Sequence, residues 1–212
     1  MLDVIRTMKK LICYVLLVFC STVFAQENKT RYIMTSFLTA EKVQDLEAQL
    51  QAHPSMREIE IVNSYGIHKN EIALTNKILA LIDQYQLHTF ARGNCAFACA
   101  TIFLYGYERT LLPRVEGGTT RLILRPLTSR DSEFLKEQTE EFFKKIVARS
   151  GGKIPQDFLP WFYRVKDDFG AIHVLSKANE QNHSILFQSA GQGKFEVISD
   201  LNAEDLGIQV QR

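Results

Sequence analysis

The chain has almost no charge excess: 25 lysines and arginines stand against 24 aspartates and glutamates in 212 residues. No basic cluster breaks that balance, so the sequence gives no electrostatic support for nucleic acid or anionic membrane surfaces as partners, and no nucleic acid is expected. Histidine is scarce, with five residues at positions 53, 68, 88, 173 and 183. None of the five sits at metal-ligand spacing, and Cys95 and Cys99 without an adjacent Cys/His pair supply too few ligands for zinc. A metal site and a bound cofactor are therefore not expected. No apolar run reaches the ~20 residues that a membrane span needs. Internal repeats and low-complexity stretches are absent as well, and the length suits one domain.

What the N-terminus does contain reads as a secretory signal. Arg6, Lys9 and Lys10 precede the apolar run Leu11 to Phe19, and Val23-Phe24-Ala25 suits cleavage between Ala25 and Gln26. Residues 1–25 are expected to be removed and the protein to be periplasmic or secreted, with no stable membrane insertion afterwards. Phe19 before Cys20 argues against lipidation, since a small residue is wanted there. Cleavage removes Cys13 and Cys20 and leaves Cys95 and Cys99 in a compartment where disulfides persist. Their i, i+4 spacing across a strand-to-helix turn can bring the Cα atoms within bridging range, and a Cys95–Cys99 disulfide is the leading reading. Two buried thiols packing as small hydrophobes are the plainer alternative, and a cysteine nucleophile is a distant third because no histidine lies nearby in sequence.

The stretch from Gly93 to Gly106 reads as a strand end turning into a buried helix that begins near Ala96. Small residues at 96, 98 and 100 permit close approach to a sheet, and Ile102, Phe103 and Leu104 require cover on nearly all sides. Upstream, Tyr32 to Phe37 reads as an edge of the sheet. Thr39 caps a helix with Val43, Leu46 and Leu50 on one face. Ile59 to Val62 reads as a strand followed by a polar turn from Asn63 to Asn70. Asn70 caps a second helix, on which Leu74, Ile78, Leu81, Ile82 and Tyr85 form a stripe. Thr89 lies in a third strand. This βαβ order predicts neighbouring parallel strands with a site at their carboxyl ends.

Downstream, Arg109 to Leu112 and Thr119 to Leu124 read as short strands. Asp131 is the expected cap of a helix to about Arg149, with Phe134, Leu135, Phe142 and Ile146 inward. Pro155 opens a helix through Trp161, and the cluster Phe158, Trp161, Phe162 and Tyr163 suits either core or an oligomer contact. Strands are expected at Ala171 to Leu175, Ser184 to Gln188 and Phe195 to Ile198.

The residues from Met34 to about Gly106 resemble the periplasmic proteins related to the Clp protease proteolytic subunit, in the Clp/crotonase superfamily. The strand Ile59 to Val62 running into Asn63-Ser64-Tyr65-Gly66-Ile67 is similar to the family's strand ending in Asn-Ser-Pro-Gly-Gly. Cys95-Ala96-Phe97-Ala98-Cys99 is similar to its Cys-Ala-Ser-Ala-Cys. The resemblance implies an α/β fold, a repeated β-β-α superhelix with a mostly parallel sheet, over 26–212. Residues 170–199 fall outside the family pattern and read as a strand-rich addition. It also places the family's nucleophilic serine at Phe97, its base at Arg125 and its oxyanion loop at Gly66 and Ile67. Phe97 has no hydroxyl, Arg125 stays protonated and is a poor general base, and Ile67 replaces a glycine. The resemblance thus implies a pseudo-protease that keeps the fold for binding a peptide or protein partner, with self-association as the superfamily's habit. The alternative is a serine hydrolase with a displaced nucleophile, for which Ser64, Thr101 and Ser36 are the candidates and His68 the base to inspect.

Overall fold

The computed structural model describes residues 30–66, 72–128 and 133–211. Nine strands among them form one mixed sheet. They are β1 (Arg31–Thr35), β2 (Glu58–Ser64), β3 (His88–Ala96), β4 (Arg109–Leu112), β5 (Arg121–Leu124), β6 (Ala171–Leu175), β7 (Ile185–Gln188), β8 (Phe195–Ser199) and β9 (Gln209–Val210). The helices are α1 (Ala40–Ala52), α2 (Ile72–Tyr85), α3 (Ala98–Tyr105), α4 (Lys136–Arg149) and the single turn α5 (Leu159–Phe162). The path β1-β2-β3-β5 is parallel, and β5-β6-β7-β8 continues it antiparallel. The fold is α/β with a mostly parallel first half.

Local chemistry explains the first βαβ units. The Thr39 hydroxyl accepts the Lys42 N–H and starts α1, whose Val43, Leu46 and Leu50 are buried. On α2 the buried set is Thr75, Ile78, Leu79, Leu81 and Ile82, while Leu74 and Tyr85 lie at the margin of the core. The helices α1 to α4 pack side by side in chain order. The opposite side of β1–β3 carries an ion-pair ladder instead of helices. Glu60, nearly buried, accepts from Arg31 at 2.9 Å and from Arg92 at 2.8 Å, and Arg31 also reaches Glu58 at 2.7 Å. A buried carboxylate held by two guanidinium groups has its charge compensated on both sides.

The sheet branches at Gly93. Residues Thr89 to Arg92 of β3 pair with β4, whereas Asn94 to Ala96 pair with β5. Gly93 has φ +77, and a Cβ there would lie 2.0 Å from the Asn63 side-chain oxygen. That oxygen accepts the Asn94 N–H at 3.2 Å, so the left-handed turn at Gly93 admits a side chain from β2 into the branch. The continuation of β3 towards β5 is what carries Phe97 to the edge of the helical layer.

Several boundaries differ from the sequence reading. The central helix begins at Ala98, not Ala96, because β3 stays paired with β5 through Ala96. Strand β2 runs on through Asn63 to Ser64, past the expected start of the turn. Helix α4 begins at Lys136. Phe134 is not an inward helical residue: it bridges to Thr128 and is 40% exposed, stacking edge-on with Tyr163 at 5.5 Å. The segment after Pro155 splits into a 3-10 turn at Gln156–Phe158 and the single turn α5. Phe158 and Phe162 are buried, Trp161 packs on Phe187 at 5.0 Å, and Tyr163 is exposed. The expected caps Asn70 and Asp131, and the expected cleavage site at Ala25 and Gln26, lie outside the described residues.

Candidate functional site

Cys95 and Cys99 are joined by a disulfide, with Cα atoms 5.3 Å apart and both side chains fully buried. The bridge brackets Phe97, which sits between β3 and α3 with φ 58 and ψ −123. Few non-glycine residues adopt such a backbone, and a bulky one there is strained by about 1–3 kcal/mol. Neighbouring structure holds it in place. The Phe97 N–H donates to the Ile123 carbonyl at 2.9 Å, and its own carbonyl accepts the Thr101 N–H at 3.2 Å. The result is a sharp elbow at the carboxyl end of the third strand that lifts the side chain at 97 off the sheet. Among the departures from sequence expectation this conformation is the most informative, since nothing in the composition of the stretch signals a positive φ.

Gly66 closes over the start of α3. Its φ is +82, and a Cβ would lie 2.9 Å from the Ala98 nitrogen and 3.0 Å from the Ala96 carbonyl oxygen. The loop after β2 is fixed there by the Gly66 carbonyl, which accepts the Leu38 N–H at 2.8 Å, and by the Gly66 N–H, which donates to the Ser64 hydroxyl at 3.2 Å. Backbone N–H groups of the first turn of a helix have no intrahelical acceptor, and Gly66 lies close over the one at Ala98. Ile67 and His68 lie outside the described residues.

Arg125 follows β5 and brings its guanidinium over the Phe97 ring, 4.7 Å from the centroid. The two positions singled out from the sequence are thus in contact, as a cation on an aromatic face. Arg125 is held from the other side by a loop that the sequence reading missed. Its Nη1 donates to the Asp168 carbonyl, and its Nη2 donates to the Asp167 carbonyl at 3.1 Å and to Asp168 Oδ1 at 3.3 Å. Asp167 shapes that loop: its carboxylate accepts the N–H groups of Phe169 at 2.8 Å, Gly170 at 2.9 Å and Gly191 at 2.9 Å. Those bonds, Gly191 and Phe169 foremost, hold the Asp167 pKa below the ordinary aspartate value. Asp167-x-x-Gly170 just ahead of a strand is a turn signature, and that pattern was the available signal. Burial lowers the Arg125 pKa, and Asp168 then Asp167 oppose the shift; a guanidinium remains charged in such a setting.

The alternative nucleophiles are placed elsewhere. Ser64 is fully buried, with its hydroxyl turned to the Gly66 N–H. Thr101 lies one turn beyond Phe97 on α3 and lines a void of about 20 Å³ with Leu124, Arg125 and Thr139. Ser36 is exposed, with φ 59, and its N–H donates to the Val62 carbonyl. Among the described residues no histidine hydrogen-bonds to any of the three. No group of three His, Cys, Asp or Glu among them is placed to hold a metal, and no helix among them is long and apolar enough to cross a membrane.

Beside Arg125 opens a cleft of about 420 Å³, walled by Phe134, Phe162, Tyr163 and Val165 and rimmed by Lys166 and Asp168. That volume is in the range of small-ligand sites.

No family model matches the chain, and no curated protein does. The fold is similar to solved structures. ClpP1 from Listeria monocytogenes superimposes with a TM-score of 0.52 at 16% identity, over 86% of this chain and 91% of that one. A point mutant of ClpP1 from Listeria monocytogenes gives a TM-score of 0.44 at 22% identity, over 58% of this chain and 73% of that one. At these identities the likeness concerns the fold.

Proposed function

We propose that this chain is an exported, catalytically silent relative of the Clp/crotonase proteins that uses the remodelled elbow to hold a peptide or protein partner. The observation that carries the reading is the stack of Arg125 on Phe97. A serine hydrolase needs a hydroxyl at the elbow, a neutral base beside it and an acid that orients the base. Here the elbow presents a hydrocarbon ring, a permanent cation covers it, and the following Asp167–Asp168 loop grips that cation. The ring and the cation each have the wrong chemistry for acyl transfer. Two departures at one point, in mutual contact, favour a role that has exchanged turnover for binding. The antiparallel strands β6 to β8 are read as an addition to a Clp/crotonase-like core, and self-association accords with the resemblance. No cofactor enters this function.

Labelling of the purified protein by a fluorophosphonate, together with turnover of a generic ester or casein, tests the proposal. The expected outcome is no labelling and no turnover, in wild type and in Phe97→Ser alike, because Arg125 still occupies the base position. Reproducible labelling abolished by Ser64→Ala or Thr101→Ala would instead establish the hydrolase with a displaced nucleophile. Turnover by Phe97→Ser alone, at a rate typical of serine hydrolases, would confine the loss of function to that one residue. Light scattering of the same sample gives the oligomeric state, and a clean monomer removes the expectation of self-association.

A further inference from the structure

The cleft beside Arg125 is lined by two cations, Arg125 and Lys166, by Asp167 and Asp168, and by a set of apolar side chains. Only 8% of the Arg125 side chain is exposed, and its Nε is buried with no hydrogen-bond partner. Two of the bonds it does make go to main-chain carbonyls, which satisfy donors but carry no net charge. The single anionic contact is Asp168 Oδ1, at a long 3.3 Å, from a side chain that is 63% exposed. A buried guanidinium in a low-dielectric pocket gains much more from a close, desolvated carboxylate than from a solvated one at its rim. The second local acid does not compete, since the Asp167 carboxylate is committed to three backbone N–H groups. Lys166 adds a further cation to the rim. Phe134, Phe162, Tyr163 and Val165 supply the remaining wall and suit an aromatic or branched aliphatic body.

We infer that this cleft binds a carboxylate carried on an apolar body, with the ligand carboxylate replacing Asp168 on Arg125. Such a group arises from two sources, the free C-terminus of a peptide ending in an apolar residue or a small apolar carboxylic acid. The inference rests on the binding role proposed above, and it names the ligand chemistry of that site. Asp168 is then a tethered competitor: its side chain occupies the guanidinium when the cleft is empty and swings into solvent when a ligand arrives.

Calorimetric titration of the purified protein tests this directly. The probes are an acetylated tripeptide ending in phenylalanine with a free carboxylate, its C-terminal amide, 3-phenylpropanoate and 3-phenylpropanamide. A charge-assisted bond lost from a buried partner is worth at least about tenfold in Kd. The acid of either pair is therefore expected to bind at least about tenfold more tightly than its amide, and which pair binds identifies the source. Asp168→Asn, at an exposed position, should tighten the acid severalfold and leave the amide unchanged. Lys166→Gln should weaken the acid modestly and steepen none of the amide data. Arg125→Gln should abolish the preference, and if that variant fails to fold, Asp168→Asn still decides. Equal binding of acid and amide, no binding of any probe at millimolar concentration, or an Asp168→Asn variant identical to wild type would each overturn the assignment. None of these outcomes depends on whether the protein hydrolyses esters, so a failure here is separable from a failure of the catalytic reading.

Discussion

Replacing Gly66 by alanine probes the joint between the loop after β2 and the start of α3. Two independent effects act at this position. With φ at +82 an alanine is strained by about 1–2 kcal/mol. Its methyl group would also press on the Ala98 nitrogen at 2.9 Å and the Ala96 oxygen at 3.0 Å, both main-chain atoms that cannot rotate away. Overpacking of that kind adds about 1–3 kcal/mol, so the total is roughly 2–5 kcal/mol. Gly117 is the internal control: its φ is +79, yet nothing lies within 4 Å of a Cβ there. Gly117→Ala carries the same backbone strain, partly offset by about 0.4–1 kcal/mol from a stiffer unfolded chain. Urea unfolding of both variants separates the terms, because the difference between them is the contact with the helix. Gly66→Ala should also lower Tm by roughly 5–15 °C. Equal losses in the two variants, within about 0.5 kcal/mol, would refute the claim that Gly66 is packed against the helix N-terminus.

The Cys95–Cys99 bridge closes a very short loop, for which chain entropy gives only about 2 kcal/mol. Cys95→Ala with Cys99→Ala should therefore leave a folded protein, and mass spectrometry of the unreduced wild type should show a deficit of two hydrogens. His173 is buried on β6 with both ring nitrogens unpartnered, and burial first, with Arg121 second, pushes its pKa down to about 4. A depressed histidine stabilises fully above its unfolded pKa of about 6.5 and loses that stability as pH falls to the folded value. Denaturant unfolding between pH 7 and pH 4 should thus lose about 3 kcal/mol that a His173→Leu variant does not lose. The Asp167 carboxylate, held below its ordinary pKa by backbone N–H groups, acts in the same sense at lower pH. Its stability is present above the ordinary aspartate pKa and disappears as pH falls through the depressed one. Wild type and Asp167→Asn should accordingly differ in urea midpoint at neutral pH and converge in strong acid. Phe97→Ser should be milder than a fully buried phenylalanine would suggest. The ring is half-buried under Arg125, so about 1–2 kcal/mol is expected from thermal unfolding.

The parallel half of the sheet was legible because each signal there is local. The cap at Thr39, the apolar stripes of α1 and α2, and the alternation of β2 all depend on near neighbours in sequence, and they reappear in place. Position 97 stood out in the sequence for another reason, since two cysteines and two alanines frame it. The contact between Phe97 and Arg125 needed the resemblance, because 28 positions separate them and no periodicity links β3 to β5. Phe134 was misread on the strength of helical spacing. Its ring instead covers Tyr163 at the mouth of the cleft, where a site competes with the core for apolar residues. The Asp167–Asp168 loop was missed because its main work is done by carbonyl oxygens, which every residue has.

The elbow itself makes the strongest case for the proposed binding role. A strand-to-helix connection with no task can relax by placing glycine at the position of positive φ, or by lengthening the turn. Neither has happened at Phe97, although the strain there is about 1–3 kcal/mol. Instead the strained residue is bracketed by a disulfide, bonded through its N–H to β5, and covered by a guanidinium that another loop holds in position. Each restraint comes from a different part of the chain: β3 with α3, β5, and the loop before β6. A junction with no task would keep fewer such restraints. The donor that remains without a partner, Arg125 Nε, belongs to the same guanidinium whose residue lines the cleft.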